Sequence, residues 1–388
     1  MLSFAGMFII AGQLGMLMEE VLGWPPERLL DLLQGHGAAS LAHGAELDEV
    51  AAQIAADPEA RRLAETDPLA AADHPGPGGV ALRAFLDRHG HRLISVDLDA
   101  PTWAEDPSPL LRMIVARLDH TRDTSDPRQA AKAAETEALN AIADPSDRRR
   151  FAHALERARF SRPYGDESET DVGDIVAVVR YIALDTARRL AKAGRLAAED
   201  DVFLLTVDEL EAALRGAPVP SDLDRRRAEH RWALANPSPA RFGPEPGEPP
   251  SPAAFPAKAR PMASAAMWTL RLFQPPPPPP DSDGVRGLAA SPGRATGPVR
   301  IIHSPAEFDR VRPGDIMVCG HTMAAWSPIF PILGGLVTEH GGPLSHPGTL
   351  AREYGLPAVL AVTDATTLFE DEQLITIDGA TGRIESAT

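Results

Sequence analysis

Cysteine is almost absent from this chain: Cys319 is the only one among 388 residues. An intrachain disulfide and a cysteine-cluster metal site are therefore excluded, which fits a reducing compartment and a cytoplasmic location. Positive charge is also scarce, with 38 Lys and Arg against 55 Asp and Glu, a formal net charge of -17. An average surface of that sign repels phosphate backbones and anionic lipid, so neither nucleic acid nor a membrane is an expected partner. No Gly-rich phosphate loop of the Walker type occurs, and no repeat of fixed period. The apolar N-terminal run from Met1 to Trp24 lacks a basic flank and is broken by Gln13 before Glu19 and Glu20. It reads as a buried helix rather than a signal peptide or a span.

The composition that remains, 44% hydrophobic over 388 residues, is enough for two or three domains with proper cores. To about residue 215 the pattern is mostly helical, with Ala/Leu/Arg/Glu-rich stretches punctuated by Pro-containing turns. Residues 90–107, GHRLISVDLDAPTWAEDP, are the exception, LISVDL reading as a short strand or extended segment. Gly194 is expected to end one helix and Thr206, in TVDE, to cap the next through a capping box. From Pro237 to Pro280 prolines crowd the chain and end in six consecutive ones, Pro275–Pro280. Such a run favours polyproline II at about 3.1 Å per residue, a semi-rigid spacer of roughly 19 Å. Beyond it lie short β-rich runs, PVRII, DIMVC, GLVTE, PAVLAV and QLITID, with one strong helical stretch at HPGTLAREYG and weaker ones at PAEFDRV and DATTLFED. The expected fold is multidomain: a mainly α N-terminal domain over 1–236, a Pro-rich linker over 237–284 and a β/α domain over 285–388.

The chemistry concentrates in GGLVTEHGGPLSHPGTLAREYGLPAV, residues 334–359. Leu336-Val337-Thr338 reads as a buried strand running into the turn Glu339-His340-Gly341-Gly342, with Ser345 as N-cap and His346 in the first helical turn. Unpaired N–H groups at a helix start and two glycines suit an anion, and their potential favours a neutral, nucleophilic imidazole. A phosphoryl group on His346 would be stabilised there, with Gly341, Gly342 and Ser345 as its cradle and Arg352 as charge support. From chemistry alone three other readings stay open: a capping or surface histidine, a general base, or His340 and His346 as metal ligands. No third ligand recurs at metal spacing nearby, so no metal site is expected.

Three spaced motifs, GLAASPGRATGPVRII, VTEHGGPLSHPGTLAREYGLPAV and ITIDGATGRI, make residues 287–384 resemble the phosphohistidine swivelling domain of the phosphoenolpyruvate-utilising enzymes. FLDRHGHRLISVDLDAPTWAEDP and LAKAGRLAAEDDVFLLTVDEL resemble the central helical region of the rifampin phosphotransferase-like branch, to which Leu344 also points. The resemblance implies that His346 takes up a phosphoryl group and that the domain carries it between sites. It also implies a helical domain that binds a small-molecule hydroxyl acceptor. Pro347-Gly348 departs from the small apolar pair usual after that histidine, and Gly348 costs up to about 1 kcal/mol of helix stability relative to Ala. Neither an ATP-grasp domain nor a phosphoenolpyruvate-binding barrel is recognisable in these residues. By the family's mechanism the donor then sits on a separate ATP-grasp polypeptide, with Mg²⁺ and ATP or phosphoenolpyruvate, and no cofactor is held tightly by this chain. Alternatives are a repurposed chain that binds a hydrophobic metabolite and catalyses a non-phosphoryl step, a regulatory subunit, or a piece of a longer enzyme.

Other residues carry weaker readings. His89, His91 and Arg92 either line the acceptor pocket, with a histidine as base, or tie a turn to its neighbouring helices. His36, in QGHGAAS, is either a pocket residue or part of an ordinary helix end. Trp326 is expected to be packing and Cys319 a buried, inert thiol.

Overall fold

A computed structural model of the chain describes residues 4–36, 38–95, 97–118, 127–236, 242–244, 247, 249–273 and 284–387. The polyproline run expected to be a spacer, Pro275–Pro280, lies outside the described residues.

The described residues up to Leu270 are mainly helical, and Asp-Pro steps start several of the helices. Asp57, Asp67 and Asp144 each accept from backbone N–H groups of the first turn, at 3.1, 3.2 and 2.7 Å, and each is followed by proline at the first helical position. That arrangement satisfies one orphan donor and presets φ at the next residue. The apolar N-terminal run forms the helix Phe4–Leu22, with Leu14 and Met18 fully buried. Among the described residues no helix is long and apolar enough to cross a membrane. Thr206 and Glu209 form the expected capping box, and Gly194, at φ +67°, follows the helix Pro163–Lys192.

Two expectations are corrected here. LISVDL, of which Val96 lies outside the described residues, forms no regular strand: its pairing is limited to an isolated antiparallel bridge between Leu93 and Thr102, and Thr102 N–H donates to Glu105 Oε2 at 2.8 Å. Ladder bonds form only beside that bridge, Ile94 N–H donating to Pro101 O at 3.1 Å and Trp103 N–H to Arg92 O at 3.0 Å, and Ser95 Oγ then accepts from Asp97 N–H at 3.3 Å, a local bond that competes with further pairing. The span expected to be linker contains the helix Arg260–Leu270, whose Trp268 is 5% exposed and lies across Gly15 of the first helix. Its apolar residues bury against Phe4–Leu22, which outweighs the surrounding proline content.

The C-terminal third is a sheet of eight strands: β1 Val285–Arg286, β2 Leu288–Ser291, β3 Arg294–Ile301, β4 Ile316–Cys319, β5 Gly335–Thr338, β6 Ala358–Leu360, β7 Leu374–Asp378 and β8 Arg383–Ser386. Their spatial order is β1-β8-β7-β3-β4-β5-β6-β2. β3, β4, β5 and β6 run parallel, while β1, β8 and β7 at one side and β2 at the other pair antiparallel. β4, β5 and β6 are buried along their whole length, which explains their mainly apolar sequences, whereas β3 starts exposed at Arg294 and is buried only towards its end. On one face Val299, Ile316, Val318, Val337 and Val359 pack with Ala365 of the short helix Ala365–Leu368 and with Phe369, Ile375, Ile377 and Ile384. The other shares an apolar core with the N-terminal helices, in which Leu47, Phe85, Leu110 and Ile114 pack with Ile329, Phe330, Leu350 and Tyr354. The 3₁₀ run Ala324–Ile332 forms the wedge, and buried Arg117 fastens it by donating from Nε to Pro328 O at 2.9 Å. Trp326 is packed edge-on against Phe308, and Cys319 is fully buried with its thiol pushed up by burial.

Candidate functional site

The site begins where β5 ends. Thr338 Oγ1 donates to His340 O at 2.6 Å, and Gly341 then takes φ +112°, a conformation open to glycine at little cost. Ser345 occupies the N-cap position of the helix His346–Glu353, but its side chain does not cap it. Its Oγ accepts from Gly342 N–H at 3.1 Å and donates to Gly342 O at 2.6 Å, closing the Gly342–Ser345 turn. Gly342 lies under the Phe273 ring, where a Cβ would come within 2.1 Å of the ring.

Gly348 has a structural reason. A Cβ there would stand 2.8 Å from Gly342 O and 3.0 Å from Pro343 O, so the helix rests directly on its own preceding loop. Pro347, in the first turn, has no N–H to offer an anion, leaving those of His346 and Gly348 to point out of the helix start.

His346 is 8% exposed. Its helix face, repeated at 349 and 353, meets the N-terminal helices. Arg162 Nη2 donates to Thr349 Oγ1 at 2.7 Å, and Gly35 N–H donates to Glu353 Oε1 at 2.9 Å. Leu344 enters the core of the helices Phe4–Leu22, Arg28–Leu33 and Pro145–Ser161. A cleft between Met7, Phe8, Leu33, Ala158, Arg162 and Leu344 has room for about 10 Å³, one water at most.

Arginines flank the seam, one of them, Arg159, paired with Glu135 at 2.8 Å. Arg128 Nε donates to Gly35 O and Arg159 Nε to Leu32 O, both at 3.0 Å, which holds these guanidiniums beside His36. Burial, and then Arg159 and Arg128, pull the His36 pKa down to about 4. Arg352 is buried on a different side of its helix from His346. Its Nη1 donates to Ala290 O on β2 at 2.6 Å, and burial followed by Arg162 lowers its pKa to about 9. Six residues of helix turn the side chain through about 600°, far off the His346 face. The expected charge support is therefore engaged with β2, and Arg162 is the cation placed on the His346 face.

Of the weaker candidates, the structure brings only the His36 loop to this seam. His89 bonds Glu46 Oε2 at 2.7 Å and packs at a tilt against Phe85, His91 bonds Asp174 Oδ1 at 3.0 Å, and burial lowers the Arg92 pKa, with Asp174 and Glu46 opposing. These three make a separate polar group that ties helices together. His340 is exposed with Nδ1 3.2 Å from Gly320 O. Among the described residues no group of three or more His, Cys, Asp or Glu side chains stands ready to hold a metal ion. Sequence reasoning missed Arg162, Phe273 and Glu353. Arg162 was legible only as the single residue between a helix and Pro163, and Phe273 was hidden next to the proline run.

Two family models match parts of the chain. Residues 1–166 match the family described as the rifampicin phosphotransferase fourth domain, and residues 311–382 match the mobile domain of PEP-utilising enzymes. The chain is 32% identical over 325 residues to a rifampicin phosphotransferase of Streptomyces sviceus and 35% identical over 327 residues to one of a Streptomyces species. It is 31% identical over 311 residues to the uncharacterised phosphotransferase YvkC of Bacillus subtilis. These alignments cover 80%, 80% and 77% of this chain and 35% of each relative, so the chain spans about a third of the length of the curated relatives it matches. On these family models and relatives, the chain belongs to the rifampicin phosphotransferase-like members of the phosphoenolpyruvate-utilising enzyme family.

Proposed function

We propose that His346 accepts a phosphoryl group and passes it to a hydroxyl of a small, largely apolar molecule held by the N-terminal helices. The observation that carries this reading is the burial of His346 in the seam, on the helix face that Arg162 and Gly35 engage from the helical side. A nucleophilic nitrogen there faces acceptor-side residues rather than solvent. The charge of a transferring phosphoryl group is stabilised by fixed donors and cations, and Arg162 with the His346 and Gly348 amides supplies both.

The cleft beside Leu344 is too small for an acceptor as it stands, so the seam opens for the acceptor to enter and for His346 to be charged. In this reading the donor belongs to an ATP-grasp polypeptide, on a separate chain or elsewhere in a longer one, and Mg²⁺ arrives with the donor phosphates. The acceptor's apolar class follows from Met7, Phe8, Leu33 and Leu344; a secondary metabolite or an antibiotic fits it. A second reading, a binding protein without phosphoryl transfer, is favoured by Pro347, which removes one donor from the helix start.

A pulse–chase experiment separates the two. The chain is charged chemically with phosphoramidate, a small histidine-phosphorylating reagent, and then offered apolar hydroxyl compounds. Transfer of label to a compound, absent in His346→Ala, supports the carrier. Tight binding of the compound with the label retained supports the second reading.

A further inference from the structure

The antiparallel side of the sheet carries an arginine arrangement that the carrier reading does not use. Strand register places Arg286 of β1 opposite Arg383 of β8, Arg383 opposite Asp378 of β7, and Asp378 opposite Arg294 of β3. Directly paired residues project from the same face with Cβ atoms about 5 Å apart, and like charges so placed destabilise a sheet. The row therefore sets three guanidiniums and one carboxylate side by side, with two of the guanidiniums adjacent.

The neighbouring carboxylates do not balance it. Glu385 is shared between Arg383, at 2.8 Å, and Arg294, at 3.5 Å. Asp378 Oδ1 accepts from the backbone N–H groups of Ala380 and Thr381, at 3.0 and 3.1 Å. Arg286 pairs with no carboxylate among the described residues, and its buried Nε has no hydrogen-bond partner among them. These side chains, with Thr376 and Thr381, line a cavity of about 280 Å³, where the Thr376 hydroxyl is paired with Thr296 Oγ1 at 2.7 Å.

We propose that this cavity binds a phosphate-type dianion, the terminal phosphate of a small molecule, with Arg286 and Arg383 as its principal ligands. Planar guanidinium forks match the geometry of phosphate oxygens, and the bound dianion neutralises the Arg286–Arg383 repulsion. The site lies on β1, β8, β7 and β3, whereas the loop bearing His346 follows β5.

The test is calorimetric titration of the full chain with inorganic pyrophosphate at low ionic strength, for wild type, Arg286→Ala, Arg383→Gln and His346→Ala. Saturable binding of one equivalent is expected, weakened at least tenfold by either arginine substitution and unchanged in His346→Ala. Co-sedimentation with phosphatidic acid vesicles, read in the same variants, distinguishes a lipid headgroup from a soluble phosphate as the source of the dianion. Without ligand, Arg286→Ala should melt no lower than wild type, because it removes a repulsion. No binding of either probe, or binding that survives both arginine substitutions, overturns the proposal. So does binding lost only in His346→Ala, which would place the anion at the histidine loop.

Discussion

Gly35 donates its backbone N–H to Glu353 Oε1 at 2.9 Å, tying the loop that carries His36 to the far end of the helix that begins at His346. The bond is buried, and Glu353 is 3% exposed. Its removal strands a backbone donor inside the seam. Glu353→Ala should therefore lower stability by about 1–3 kcal/mol in urea unfolding, and Glu353→Gln, which keeps an acceptor, by less.

Gly348 sets two effects against each other. Helix propensity favours alanine by about 1 kcal/mol, whereas overpacking against fixed backbone costs about 1–3 kcal/mol. The Gly342 and Pro343 carbonyls belong to the loop itself and have little freedom to retreat. Gly348→Ala should thus unfold at lower urea concentration than wild type. A rise in stability would show that the loop yields.

His36 gives the seam a pH dependence. Its folded pKa, about 4, lies below the unfolded value of about 6.5. Between these values the unfolded chain binds a proton that the folded chain refuses, so His36 lowers stability progressively as pH falls through the window and has no effect above it. Melting temperature measured from pH 7 to 4 should fall less steeply in His36→Gln than in wild type. His89, whose pKa burial also lowers, adds a component of the same sign that His36→Gln leaves in place.

Arg162 reaches Thr349 from the helical side, three residues along the helix from His346. Arg162→Ala should slow transfer from charged His346 to an acceptor by about 10²-fold, the scale of losing one preorganised donor to a developing charge. Chemical charging of His346 by phosphoramidate should continue. The rate of label loss in a chase reads the first, and intact mass reads the second.

The legible parts of this molecule were those written in local chemistry. The Gly-Gly and Ser-His spacing located the loop, TVDE its capping box and Gly194 a helix end, because each depends on neighbours within a few residues. The helix Arg260–Leu270 escaped notice because it is held by Trp268 lying over Gly15, a contact about 250 residues away in sequence. Arg352 was assigned to the phosphate although helical geometry turns it away from His346. Phe273 over Gly342 left no local trace at all. Pro347-Gly348 looked like damage to the helix start, and the glycine proves to be what lets helix and loop touch.

The most direct test of the carrier role is the intact mass of the chain at neutral to alkaline pH, where phosphohistidine survives. The chain is incubated with Mg²⁺ and ATP or phosphoenolpyruvate, with and without an ATP-grasp polypeptide, beside His346→Ala. A gain of about 80 Da, one phosphoryl group, that requires the ATP-grasp polypeptide and is absent from the His346→Ala chain is the predicted result. An unchanged mass with every donor, or the same gain in His346→Ala, would contradict it.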